Sequence, residues 1–437
     1  LKMKYIYKYA LLAIFGLSIA SCSLDPINNP NGPTVESYAE GANSGQLQLL
    51  TTGLEASLRN DMEFYYQTVS IVGRDYYDLN ETDPRYTGEL LGAGVGEGVL
   101  DDNGFLTTRS FGARYRSARN AQSLIDAVAN SEAGLDAAGV AGYNSFAKTC
   151  MAYNLLLVIN RQYQNGIILD IVDPDDLGDY VSYDEGLAGI SGMLDEAISE
   201  AGAAGSEFVF TLSSGFEGFD TPANFVKFVQ GLKARVEMYR GNKDAVKTAL
   251  NASFLDMAGA MNAGVYHLFS GAGNDRLNPL FYALEQNKYM AHPTFVIDGE
   301  DGDTRLSKVA TIDTVKADGL SSIDQVQLYS TNTTPVGMIR NEELILLMAE
   351  ANIGSNAPGA VGALNIIRNA NGLGDYSGGE DVASLETELL KQRRYSLFGE
   401  GHRWVDMRRY DKLGALPLDR VGDQIFVQFP RPELEPN

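Results

Sequence analysis

The sequence predicts a mainly α fold, with helix hairpins forming a scaffold from which long loops project and only minor β structure. Three observations carry that expectation. Apolar residues recur at helical spacing through most of the chain beyond its first forty residues or so. Several of these segments come in pairs closed by short joints such as Gly241-Asn242 and Gly354-Ser355-Asn356. The composition of the 437 residues, 44% hydrophobic and 21% charged, is that of an ordinary globular chain, which rules out disorder and coiled-coil architectures.

The first segment reads as an address. Lys2, Lys4 and Lys8 precede an apolar run from Leu11 to Ala20 that is too short to span a bilayer stably, and small residues lead into Cys22. Ile-Ala-Ser-Cys resembles a bacterial lipobox, so residues 1–21 are expected to be a signal peptide and Cys22 the lipidated mature terminus. Residues 22–37, rich in Asn, Pro and Gly, read as a flexible stalk, and 38–437 as one domain.

The helices follow in order. Leu47, Leu50, Leu54 and Leu58 make one stripe, and Phe64, Thr68 and Ile71 begin its partner. Tyr115, Ala118, Ala121, Leu124, Ile125 and Val128 make the next. Residues 137–163 continue with Phe146, Cys150, Tyr153, Leu156, Leu157 and Asn160 facing inward, so Cys150 serves as a small buried hydrophobe. Further helices fit 184–201, 222–240, 243–256, 340–353, 358–370 and 382–399. The pairs look tetratricopeptide-like, although no clean 34-residue period survives. Two long stretches, 73–110 and about 258–338, read as irregular, the second with one short strand at 325–329. Loops of that length in a compact domain are functional or disordered, and their aromatic content argues against disorder.

The C-terminal third carries the most specific pattern. It runs Arg340/Glu342 with Ala349-Glu350-Ala351, then Ala363-Leu364-Asn365-Ile367-Arg368, then Arg393-Arg394, and closes on Glu400-Gly401-His402-Arg403-Trp404-Asp406-Arg408-Arg409. This order of motifs resembles the SusD/RagB family of outer-membrane nutrient-binding lipoproteins of Bacteroidetes. Residues 147–165 and 222–240 look like two of that family's internal helices. The closing arginines are expected to pair with Glu342, Glu343 and Glu350 and to hold the fold, with His402 and Trp404 packed between them.

Chemistry is harder to find. Lys+Arg number 34 against Asp+Glu 57, a net charge of −23, which repels nucleic acid and anionic lipid. Three histidines and two cysteines leave no Cys/His zinc site, and no Gly-x-Ser-x-Gly or His-Glu-x-x-His occurs. Glycines 92, 94, 96 and 98 match neither phosphate-binding spacing, and the acidic turns at 173–178 and 298–303 read as solvated rather than as calcium loops. No cofactor, metal or catalytic residue is expected, so the chain reads as a binder and not an enzyme.

Binding is better supported. Tyr76, Tyr77, Asn80, Asp83, Arg85 and Tyr86 crowd one loop, while Tyr282, Tyr289 and His292 mark the other. Flat rings beside hydrogen-bonding groups suit sugars, which present apolar C–H faces and hydroxyl edges. Trp404 is the only tryptophan and lies in the closing motif, so tyrosines must supply any platform. The resemblance implies a surface-exposed, lipid-anchored protein of the outer membrane that captures oligosaccharides and delivers them to a SusC-like TonB-dependent barrel. Peptide capture, a lipid-anchored all-α glycoside hydrolase and a scaffold with no small ligand remain as alternatives.

Overall fold

The structure is a computed structural model that describes residues 41–79, 83–93, 99–273, 275–284, 286 and 288–433. The segments read as signal peptide and stalk, with Cys22, and the loop residue Asn80 lie outside the described residues.

Helix α1 (Ser44–Ser57) starts from a capping box in which Asn43 and Gln46 satisfy each other's backbone N–H groups. Helix α2 (Met62–Val72) and strand β1 (Tyr76–Asp78) follow, then α3 (Phe105–Ala129) and α4 (Ala137–Gln162). From Tyr143 onward α4 is buried on nearly every side, because α3 covers one flank and the next helix the other. Strands β2 (Ile167–Ile168) and β3 (Tyr180–Val181) pair antiparallel and lead into α5 (Tyr183–Ala203), opened by a Ser182/Glu185 capping box. Helices α6 (Pro222–Tyr239) and α7 (Lys243–Ala252) complete this half. Successive helices α3 to α7 pack each on the one before, as a stack of hairpins does.

The second long stretch departs from expectation. It is not an irregular loop with one strand at 325–329. It holds β4 (Gly264–His267), β5 (Tyr289–Ala291), a single turn α8 (Thr294–Ile297), β6 (Val309–Ala317), β7 (Leu320–Val326) and β8 (Val336–Arg340). A four-stranded antiparallel sheet runs β1-β5-β7-β6, and β4 pairs with β8. The β6–β7 hairpin turns through Asp318 (φ 50°) and Gly319 (φ 78°), two successive left-handed residues that match the twist of the strands they join.

Helices α9 (Asn341–Asn352), α10 (Ala357–Ala370), α11 (Val382–Ser396) and α12 (Arg403–Arg409) close the chain. The first three share a satellite core around Leu346, Leu364, Ile367, Leu385 and Leu389. The main core runs continuously from α1 to Phe429.

The closing motif is structural. Trp404 is fully buried, donates Nε1–H to the Phe426 carbonyl at 2.8 Å, and meets Phe429 edge-on with centroids 5.8 Å apart. Arg408 donates to the carbonyls of Asn160 (2.7 Å) and Val427 (2.9 Å). Arg409 reaches Glu350 at 2.9 Å, and Arg393 reaches Asp406 at 2.6 Å. The expected partners need one correction. Glu343 pairs with Arg235 of α6 and Glu342 with Arg340, because both carboxylates lie in the first turn of α9, facing α6 and β8.

Candidate functional site

Pairing of β1 with β5 joins the two long loops that sequence reasoning singled out. The register sets Tyr76 opposite Ala291, Tyr77 opposite Met290 and Asp78 opposite Tyr289, and the Leu79 N–H donates to the Lys288 carbonyl at 3.0 Å. The same pairing decides what each tyrosine offers. Tyr76, Tyr77, Tyr289 and His292 are only 3%, 2%, 5% and 2% exposed, so none presents a ring face to solvent. Tyr76 packs on Tyr289 and Phe398, with centroids 5.0 and 6.3 Å away. His292 accepts the Thr294 N–H at Nδ1 (3.2 Å), which leaves Nε2–H to donate to Asp419 at 3.1 Å. These four residues build the floor.

Tyr86 and Tyr282 are half-buried above it. Tyr282 stands edge-on to Tyr289 at 4.9 Å, and Tyr86 edge-on to Phe105 at 5.9 Å. Asp83 caps the short turn Pro84–Tyr86 by accepting the Arg85 N–H, and its carboxylate takes the Arg85 guanidinium in a fork of 3.0 and 2.7 Å. That guanidinium holds Asp83 below the usual carboxylate range and lies 4.3 Å over the Phe105 ring.

Two residues escaped sequence reasoning. Lys288 places its ammonium 5.4, 5.1 and 5.6 Å from the ring centroids of Tyr86, Tyr282 and Tyr289, and 3.5 Å from Asp78. Burial disfavours its charge, but Asp78 and the Tyr282 hydroxyl outweigh that and hold it above the usual lysine range. Phe105 opens α3 and links the site to Phe64 at 5.6 Å. A lysine next to Tyr289 in a run already rich in rings was the signal available for the first; nothing local marks the second.

The arrangement is a shallow platform with two half-exposed tyrosine edges and faces, a cation held between them, and a rigid Asp83–Arg85 fork at its rim. It offers aromatic stacking and directional hydrogen bonds of both senses. Among the described residues, no group of three or more His, Cys, Asp or Glu is placed to hold a metal ion.

Comparison with known proteins bears directly on this fold. Residues 321–428 match the profile of the SusD family. A SusD superfamily protein from Bacteroides vulgatus superposes with a TM-score of 0.69 at 16% identity, covering 90% of this chain and 96% of that one. The chain has the SusD fold. The likeness read from the C-terminal motifs is thereby borne out, as is the mainly α architecture. Surface glycan-binding protein A from Bacteroides thetaiotaomicron, solved with laminarihexaose, superposes with a TM-score of 0.63 at 13% identity over 86% of this chain and 92% of its own. A laminarin-binding SusD-like protein gives 0.62 at 17% identity, over 90% and 96%. No curated protein matches the chain in sequence. Among the described residues no helix is long and apolar enough to cross a membrane.

Proposed function

We propose that this protein is a glycan-binding lipoprotein that captures oligosaccharides at the cell surface and passes them to a SusC-like TonB-dependent outer-membrane barrel. The observation that carries the reading is the pair of half-exposed rings, Tyr86 and Tyr282, flanking Lys288 beside the Asp83–Arg85 fork. Similar solved structures bind laminarin or laminarihexaose, which supports a saccharide as the ligand class. In this reading Cys22 carries the lipid, 22–37 is the tether, and 38–437 is the binding domain. Several acyl chains, at about 0.8 kcal/mol per buried CH₂, anchor such a protein without any apolar span.

Chemistry at the platform is recognition, not turnover. The rings meet C–H faces, Lys288 and Arg85 donate to hydroxyls, and Asp83 is committed to Arg85 and so cannot act as a proton donor in the neutral range. Calorimetric titration with neutral oligosaccharides, laminarihexaose among them, is expected to show binding at about micromolar affinity. No new reducing ends should appear on prolonged incubation. Failure of every glycan to bind, with peptides binding instead, would replace this reading by peptide capture; new reducing ends would make the protein a hydrolase.

A further inference from the structure

A second recess lies away from the tyrosine platform, where the end of α1 meets residues 268–270 and 275–276. Two clefts meet there, and Arg59 and Asp275 line both, joined to each other at 2.7 Å. Burial opposes ionisation of Asp275, but the Arg276 N–H and the Arg59 guanidinium hold it below the usual carboxylate range, so the pair is a closed internal salt. The cleft on one side, about 280 Å³, has an apolar wall that includes Phe216, Leu268 and Phe269, and carries Glu55 besides the shared pair. The cleft on the other side, about 310 Å³, is different in kind.

Its floor is the last turns of α1, where Gly53 and Ala56 keep the surface low; a Cβ added at Gly53 would meet nothing within 4 Å. Around that floor stand neutral hydrogen-bonding amides, Asn60 and Asn120, together with Arg276. Arg276 is exposed and donates to the Arg59 carbonyl (2.9 Å) and the Asn60 side-chain oxygen (2.6 Å). It forms no direct ion pair with a carboxylate among the described residues, although its charge acts on Glu63 nearby. Two guanidiniums against one carboxylate leave the lining with a net positive charge. That is notable in a chain of −23, and it is felt locally, because at physiological ionic strength charges beyond about 8 Å are largely screened.

We propose that this cleft is a second saccharide subsite, selective for a sugar unit that bears a carboxylate. Arg276 receives the carboxylate, Asn60 and Asn120 take ring hydroxyls, and the side-chain-free surface at Gly53 lets the ring lie against α1. The volume is at the small end of ligand sites and holds one sugar unit rather than a chain. The choice of a sugar, rather than another small acid, rests on the glycan-capture reading; the preference for negative charge rests on the cleft alone. A recess of this kind adds charge selectivity to a protein whose tyrosine platform offers ring faces to neutral sugars.

The test is saturation-transfer NMR of the full-length mature protein with glucuronate, glucose and acetate as probes. Glucuronate is expected to bind and glucose at equal concentration to give no signal. Arg276→Gln should weaken glucuronate at least tenfold. Gly53→Phe should do the same by filling the cleft, and since it replaces a mid-helix glycine it should leave the melting temperature unchanged or higher. Laminarihexaose affinity should be unaltered in both variants. Glucuronate binding that survives both substitutions, or equal displacement by acetate, overturns the subsite. Failure of the unsubstituted protein to bind laminarihexaose would instead overturn the platform reading, while glucuronate binding that is lost on Arg276→Gln reports on the cleft.

Discussion

Single residues divide into those that hold the platform and those that face outward from it. Tyr282→Ala removes one half-exposed ring and should weaken glycan binding by roughly 1 kcal/mol, about fivefold, with an unchanged melting curve. Tyr289→Ala, one residue beyond Lys288, empties a buried position and should destabilise by about 3–5 kcal/mol, seen as a lower denaturation midpoint. An opposite pattern, with Tyr289→Ala stable and binding-deficient, would show that the ring emerges when ligand arrives. Trp404→Ala belongs with the second group: it loses a fully buried ring and the bond to the Phe426 carbonyl, and should cost about 3–5 kcal/mol while the fraction still folded binds glycan normally. Several buried arginines do a quieter job here. Arg114 donates to the Leu58 and Asn60 carbonyls at the end of α1, Arg74 to those of Ile71 and Val72 at the end of α2, and Arg403 to that of Gly73 just beyond it. Each satisfies carbonyls that a helix terminus leaves behind; Arg114 and Arg74 form no ion pair among the described residues, while Arg403 also lies 4.0 Å from Asp75.

Helices and strands were unequally legible. The hairpins could be read because a helix buries one stripe at a fixed period, and the observed bounds of α6 and α10 fall within a residue of those inferred. The sheet was missed for a physical reason. Strand β6 is half-exposed along most of its length, so its alternation is blurred, and the informative feature was the Asp318-Gly319 pair. Asp-Gly flanked by apolar residues is a two-residue hairpin signal that outranks a loop reading based on length alone. Of the site, the two loops were legible from their tyrosines, but which rings would be covered depends on β1–β5 register, a contact between distant segments that no local pattern encodes. Two element-level outcomes follow. Gly319→Val places a branched side chain at φ 78° and should destabilise the hairpin by about 1–2 kcal/mol, measured by hydrogen exchange across β6 and β7. Arg235→Met leaves Glu343 buried without its partner between α6 and α9, and should cost about 3–5 kcal/mol, with most of it recovered on adding Glu343→Leu.

At the scale of the molecule, buried titratable groups set an acid limit. Burial lowers His267 to about 3 and His402 to about 4 from the usual 6.5. Unfolded chains therefore take up these protons first, and stability is lost as pH falls below about 6.5. Asp75 works in the opposite sense: burial raises it to about 6, so its folded form gains the proton before the unfolded one and offsets part of that loss. Glu300 and Glu343 are both lowered to about 2 by their arginine partners, despite the burial of Glu343, and their contribution disappears between about pH 4.5 and 2. Melting temperature should decline gently from pH 6.5 to 4.5 and steeply below. His402→Gln should flatten the gentle part only. A melting temperature that stays level to pH 4 would mean that neither histidine is buried as described.

The β1–β5 seam carries a consequence for how the platform comes into being. Helices of the stack contact their neighbours in sequence, and such short-range structure organises quickly; the seam joins segments separated by roughly two hundred residues and must wait for slow, long-range closure. During refolding from denaturant, far-ultraviolet ellipticity should therefore return well before laminarihexaose can be captured. For that interval the chain is already helical yet has no platform, and nothing bound there can guide the site to maturity.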